Sequence, residues 1–131
     1  MHICVIVVIA ANAAAVQSKI LQYLVIFGIP IMFLAMNRFK IVKGREADFE
    51  DIWKQRDSHL EGVDGFKNFN LVRGGSNDTF TLYASHSVWD SKIHFENWTK
   101  SEAFKLAHKN AGKHSDIYLG PPKFEGFEKV I

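Results

Sequence analysis

Along residues 33–42 the positions Phe33, Ala35, Asn37, Phe39 and Ile41 alternate with Leu34, Met36, Arg38, Lys40 and Val42. A period of two places the first set on one face of a strand and makes that face the more apolar. Lys43 and Gly44 end the run. Beyond them Ala47, Phe49, Ile52, Trp53 and Leu60 recur at helical spacing with acids and bases between, which predicts an amphipathic helix from Arg45 to about His59. Gly62, Asp64 and Gly65 break that helix. Phe66–Arg73 is then expected as a second strand, Gly74–Asp78 as a turn and Thr79–Trp89 as a third strand. In the third, Phe80, Leu82, Ala84, His86 and Val88 share one face, and Thr79, Thr81, Tyr83, Ser85 and Ser87 the other. So short a connection predicts an antiparallel hairpin.

Asp90 or Ser91 can cap a helix running to Trp98, and Ser101 a second running to about Asn110, because their side-chain oxygens accept from free first-turn amides. Gly112–Pro122 reads as loop and Lys123–Ile131 as a closing strand. The order β-α-β-β-α-β corresponds to an α+β, ferredoxin-like split βαβ arrangement: an antiparallel sheet with helices on one face. The other face stays bare. A bare face bearing Phe, Leu and Val calls for a partner, and the simplest is a second copy related by a two-fold axis.

Composition sharpens this picture by dividing the chain. Overall, 47% apolar residues exclude a disordered or collagen-like protein, and 16 bases against 14 acids argue against a dedicated nucleic-acid binder. The charges are unevenly spread, however: residues 1–37 carry only Lys19. Within this stretch lie two apolar runs, Ile3–Ala15 and Ile20–Met36, and three descriptions compete for it. A secretory signal lacks its basic n-region. A membrane anchor needs ~18 to 20 uncharged apolar residues, and Pro30 and Gln22 weaken the second run. The favoured description is an upstream extension, residues 1–31, before a domain of residues 32–131 that starts near Met32 or Met36. Removing the extension takes away only Lys19, so the net charge of +2 becomes +1. Membrane association would rest on the extension alone. The single Cys4 supports neither a disulfide nor a CxxC motif and fits a reducing compartment, so a cytoplasmic location is expected.

The chain has no Walker or Rossmann glycine pattern, no His-Glu-x-x-His and no nucleophile elbow. Three polar residues in apolar surroundings remain as candidates. Asn37 sits on the apolar parity of its strand, where an unpaired amide is costly; it either bonds into the helix layer or serves a pocket. Phe104, Ala107 and His108 share a helix face, so His108 is either a core histidine bonded to a backbone carbonyl or a ligand to a metal or haem iron. Trp98, at a helix break, is either core or part of a site. His59, His86, His94 and His114 have no motif support and are read as structural or exposed.

Three stretches in order carry a family resemblance: Phe33-Leu-Ala-Met-Asn37-Arg38-Phe39; Val88-Trp89-Asp-Ser91-Lys92 leading to Phe95-Glu-Asn-Trp98; and Ser101-Glu-Ala-Phe104-Lys-Leu-Ala107-His108-Lys109. Together they resemble the IsdG-type haem-degrading monooxygenases of the antibiotic biosynthesis monooxygenase superfamily, across essentially Met32 to Ile131. The resemblance implies a homodimeric α+β barrel with haem in a cleft between helices and sheet. It implies His108 as the proximal iron ligand, Asn37 as a hydrogen-bond partner of the distal oxygen ligand, and Trp98 as the ring that ruffles the porphyrin. Haem would be both substrate and cofactor. With O2 and an external electron donor, such as a reductase, ring opening would release iron and a linear tetrapyrrole. A haem carrier without turnover and a cofactor-free monooxygenase of an aromatic or quinone substrate are the alternatives.

Overall fold

The computed structural model describes residues 15–17, 19, 20, 22 and 30–131, so the N-terminal extension lies largely outside the described residues. No helix among the described residues is long and apolar enough to cross a membrane. The elements are β1 (Phe33–Val42), α1 (Glu46–Gln55), β2 (Phe66–Ser76), β3 (Phe80–Trp89), α2 (Lys92–Thr99), α3 (Glu102–His108), a short 3-10 turn (Ser115–Ile117) and β4 (Lys123–Glu128). The sheet runs β2-β3-β1-β4, every neighbouring pair antiparallel. The ferredoxin-like α+β arrangement expected from the periodicity is therefore the observed one.

The predicted parity of β1 holds. Phe33, Ala35, Phe39 and Ile41 are buried, whereas Leu34, Met36 and Val42 are partly exposed and Arg38 and Lys40 exposed. Two separate clusters cover the buried face. Phe39, Ile41, Phe49, Tyr83 and Ile117 form the first, beneath α1. Phe33, Ala35, Leu60 and Trp89 form the second, with Phe95 and Trp98 of α2 packed against it. Ser91 and Ser101 cap α2 and α3, their hydroxyls accepting from the amides of His94 and Phe104. Gly126 on β4 is required by close approach: an added Cβ would lie 2.6 Å from the Phe33 ring.

Several boundaries differ from the periodicity, each for a local reason. Helix α1 ends at Gln55 rather than near His59, and Arg56 is extended at φ −78° and ψ 128°. Asp57 Oδ1 accepts from the His59 amide, a local bond that competes with helix continuation, and His59 adopts φ 51°. Strand β2 continues through Gly74 and Gly75 to Ser76 by way of a register shift between Arg73 and Ser76. Asn77, Asp78 and Thr79 then make the tight turn, Asn77 Oδ1 accepting from the amides of Thr79 and Phe80. Helix α3 stops at His108, short of Asn110, and β4 stops at Glu128.

Candidate functional site

Between the two clusters the covered face is not filled. On β1, Asn37 lies between Ala35 of the second cluster and Phe39 of the first, and its register partners are Ser85 on β3 and Phe124 on β4. Asn37 and Ser85 thus form a polar floor where the clusters part. Above it is a cavity of about 1240 Å³. That exceeds the ~300 to 1,000 Å³ typical of small-molecule sites. Asn37, Trp98 and His108, singled out separately from the sequence, all line it.

The cavity walls are flat rings. On one side Trp53 of α1 stacks on Phe69 of β2, with centroids 5.7 Å apart and planes within 20°. On the other, Phe95 and Phe124 stack at 5.5 Å and 4°, and Trp98 meets Phe104 edge-on at 4.9 Å. Planar walls around a wide space suit a large planar ligand.

His108 is half-buried, its ring stacked on Phe104 at 3.9 Å. Its Nδ1 lies 2.8 Å from the Phe104 carbonyl oxygen. A carbonyl can only accept, so Nδ1 carries the hydrogen and Nε2 of the neutral ring keeps its lone pair. Burial pushes the His108 pKa below the ordinary 6.5; the Phe104 carbonyl opposes this and the positive charge of Arg56 adds to it. The core-histidine bond is therefore present, and it is the bond that prepares the other nitrogen as a donor.

The amide of Asn37 has no hydrogen-bond partner among the described residues, so the bond into the helix layer is not what holds it there. Trp98 serves as both core and cavity wall: it packs on Trp89 at 5.4 Å, yet its Nε1 is buried without a partner among the described residues. His94 is structural, its Nδ1 2.7 Å from Ser91 Oγ over Gly65, where a Cβ would meet the imidazole. His86 lies on the sheet face opposite the described helices, its Nδ1 buried without a partner among the described residues, while His59 and His114 reach the cavity lining.

Two cavity residues escape a periodicity-based reading. Arg56, one residue beyond α1, looks like a solvated helix-end charge. Tyr118 sits in a stretch read as loop, where the apolar triplet Ile117-Tyr118-Leu119 between polar and Gly/Pro neighbours was the available signal. Among the described residues no three His, Cys, Asp or Glu gather to chelate a bare metal ion. Of the histidines lining the cavity, His108 is the one whose Nδ1 is held by a backbone carbonyl, and one such imidazole donor matches haem iron, already held by its macrocycle.

Comparison with known proteins bears directly on this arrangement. The antibiotic biosynthesis monooxygenase family model matches residues 32–110. A heme oxygenase (staphylobilin-producing) from Staphylococcus epidermidis is 29% identical over 85 residues, covering 65% of this chain and 81% of its own length. The structure of the heme-degrader MhuD from Mycobacterium tuberculosis, with two hemes bound in its active site, superposes with a TM-score of 0.58 at 22% identity, covering 76% of this chain and 96% of its own. The cofactor-independent oxygenase SnoaB from Streptomyces nogalater gives 0.54 at 23% identity, over 74% and 91%. The structural likenesses speak to the fold, and the family match spans more than half of the chain. The chain belongs to the antibiotic biosynthesis monooxygenase family.

Proposed function

We propose that this protein is a haem-degrading monooxygenase that binds haem in the cavity between its two core clusters and opens the porphyrin with O2 and an external electron donor, releasing iron and a linear tetrapyrrole. The observation that carries this is the state of His108: a neutral ring with Nδ1–H held by the Phe104 carbonyl and Nε2 without a partner among the described residues, at the wall of a wide aromatic cavity. Such an imidazole would hold haem iron through Nε2. The heme oxygenase relative and the fold shared with the heme-degrader MhuD support the same reading. The fold shared with the cofactor-independent SnoaB supports the cofactor-free alternative, in which the same Nε2 lone pair would serve as a general base, and the response to added haem separates the two.

Each residue has a role its surroundings suit. His108 would hold the haem iron through Nε2. Asn37, with an amide uncommitted among the described residues, would offer a hydrogen bond to dioxygen in the cavity. Trp98, its ring position fixed by Trp89 and Phe104, would lie against the macrocycle and favour distortion of a flat ligand. Bound haem supplies the iron that activates dioxygen and is itself the ring attacked. The apolar walls limit water around the reacting centre.

The sheet face opposite the described helices completes the proposal. Leu34, Met36, Leu82 and Val88 are only partly covered there and Val72 and Phe127 are exposed, which supports a homodimer formed through this face. A reductase as electron source and a cytoplasmic location belong to the same reading. The direct test is aerobic incubation of the haem complex with ascorbate and catalase. Loss of the Soret band with appearance of free iron and a bilin is expected; a persistent Soret band with no product would leave a haem carrier instead.

A further inference from the structure

The chain has four arginines, and three of them sit beside carboxylates: Arg38 by Glu125 at 3.1 Å, Arg45 by Asp48 and Asp116 at 2.6 and 3.1 Å, and Arg73 by Glu50 at 3.8 Å. Arg56 has no carboxylate partner among the described residues, and it is the one that lines the cavity. Its side chain is nonetheless fixed. Nε donates to the Ala107 carbonyl oxygen at 3.0 Å, and the guanidinium carbon lies 4.7 Å above the Trp53 ring. These two anchors use one donor and one face of the fork and leave the terminal N–H groups uncommitted.

The nearby acids are engaged elsewhere. Asp57 accepts from the His59 amide and lies 3.6 Å from its Nδ1, and Asp51 faces Lys54 at 4.0 Å. A half-buried cation without a counter-ion is costly, and burial draws the Arg56 pKa down. Tyr118 lines the same cavity. Its ring is seated on Phe39 and Phe49 at 6.0 and 5.9 Å, and its hydroxyl has no hydrogen-bond partner among the described residues. The two side chains sense each other's charge. A fixed guanidinium and a free phenol on one cavity match what a carboxylate requires: charge, a fork of donors and a further O–H.

We infer that Arg56 and Tyr118 form a carboxylate-recognition subsite, so that the ligand is held not only by its iron but by a carboxylate side chain of the macrocycle. The inference rests on the haem reading. It adds a specificity element: the protein discriminates between acid and ester forms of the same porphyrin. Arg56 provides the charge and orientation, and Tyr118 the additional donor.

The test is an equilibrium titration of the full-length protein, by Soret absorbance and tryptophan quenching, with haem and with its dimethyl ester. Iron and the imidazole donor are common to both, so the difference reports the carboxylates. Wild type should bind haem about tenfold or more tighter than the ester, the size expected of a hydrogen bond to a charged group. In Arg56→Leu the preference should fall below about twofold, Arg56→Lys should restore part of it by returning the charge, and Tyr118→Phe should lose about two- to fivefold. Thermal melts of the free variants check that each is folded, and the wild-type comparison needs no variant at all. Equal wild-type affinity for acid and ester, or a preference undiminished in folded Arg56→Leu, would overturn the subsite alone. Failure of wild type to bind either ligand would overturn the haem reading and the subsite with it.

Discussion

Phe49 and Trp98 occupy corresponding places, each an aromatic ring that a helix presses onto the same face of the sheet, but their surroundings differ. Phe49 is fully buried, ringed by Phe39, Tyr83 and Tyr118 and closed over by Ile117. Helix α1 is also tied to the sheet beneath it: Thr81 Oγ1 donates to Glu46 at 2.7 Å and Tyr83 OH to Glu50 at 2.9 Å. Trp98 has rings on one side, an open cavity on the other and an indole N–H without a partner among the described residues. The first cluster is finished as a core; the second is left as a wall. Helices α2 and α3, eight and seven residues long, cover less of the sheet and leave room for a ligand between the clusters.

If this contrast is right, the largest stability change follows truncation in the first cluster. Phe49→Ala should cost about 3 to 5 kcal/mol, read as the loss of unfolding free energy in urea. A much smaller loss would mean that the first cluster is not the stabilising core.

A sharper comparison lies within the second cluster, between two indoles. Trp89 Nε1 donates to Ser87 Oγ at 2.9 Å, and Trp98 Nε1 donates to nothing among the described residues. Trp89→Phe should therefore cost about 1 to 3 kcal/mol, since it leaves a buried hydroxyl short of a donor as well as a gap. Trp98→Phe should change stability by less than about 0.5 kcal/mol, because relieving an unpaired donor offsets the lost volume. Equal losses at the two sites would erase the distinction between core and wall. In the haem complex, Trp98→Ala should bind haem yet turn over more slowly, and an unchanged single-turnover rate would remove Trp98 from the chemistry.

The smallest effect is one of pH. His108 has a folded pKa below its ordinary 6.5, so the unfolded chain takes up a proton at a pH where the folded one does not. The contribution of His108 is complete above 6.5 and is lost as pH falls through that value toward the lowered one. Urea midpoints between pH 7.5 and 5 should thus decline more steeply in wild type than in His108→Gln. Parallel declines would mean that His108 is not held neutral.

The sheet and its covered face were legible because β1 and β3 alternate cleanly and because Ser91 and Ser101 cap as their chemistry dictates. Asn37 stood out for a physical reason: an amide on an apolar parity needs an explanation, and the structure gives it a place on the cavity floor. His108 was ambiguous in sequence because periodicity supplies a face but not a tautomer. Arg56 and Tyr118 were hidden for different reasons. A charge at a helix end is indistinguishable from a solvated one until the chain turns inward after Gln55. A three-residue turn such as Ser115–Ile117 has no period to detect, although it delivers Ile117 to the first cluster and Tyr118 to the cavity. Gly74 and Gly75 look like a hairpin tip but are absorbed into a bulged strand.

The central claim, that the gap between the clusters holds haem through one prepared imidazole, is tested most directly by titrating haem into wild type and His108→Ala and following the Soret band. Wild type should give a saturable, shifted Soret band at one haem per chain, and His108→Ala should lose the shift or weaken binding by at least about tenfold. No Soret shift in wild type, or a spectrum and affinity unchanged by His108→Ala, would contradict it.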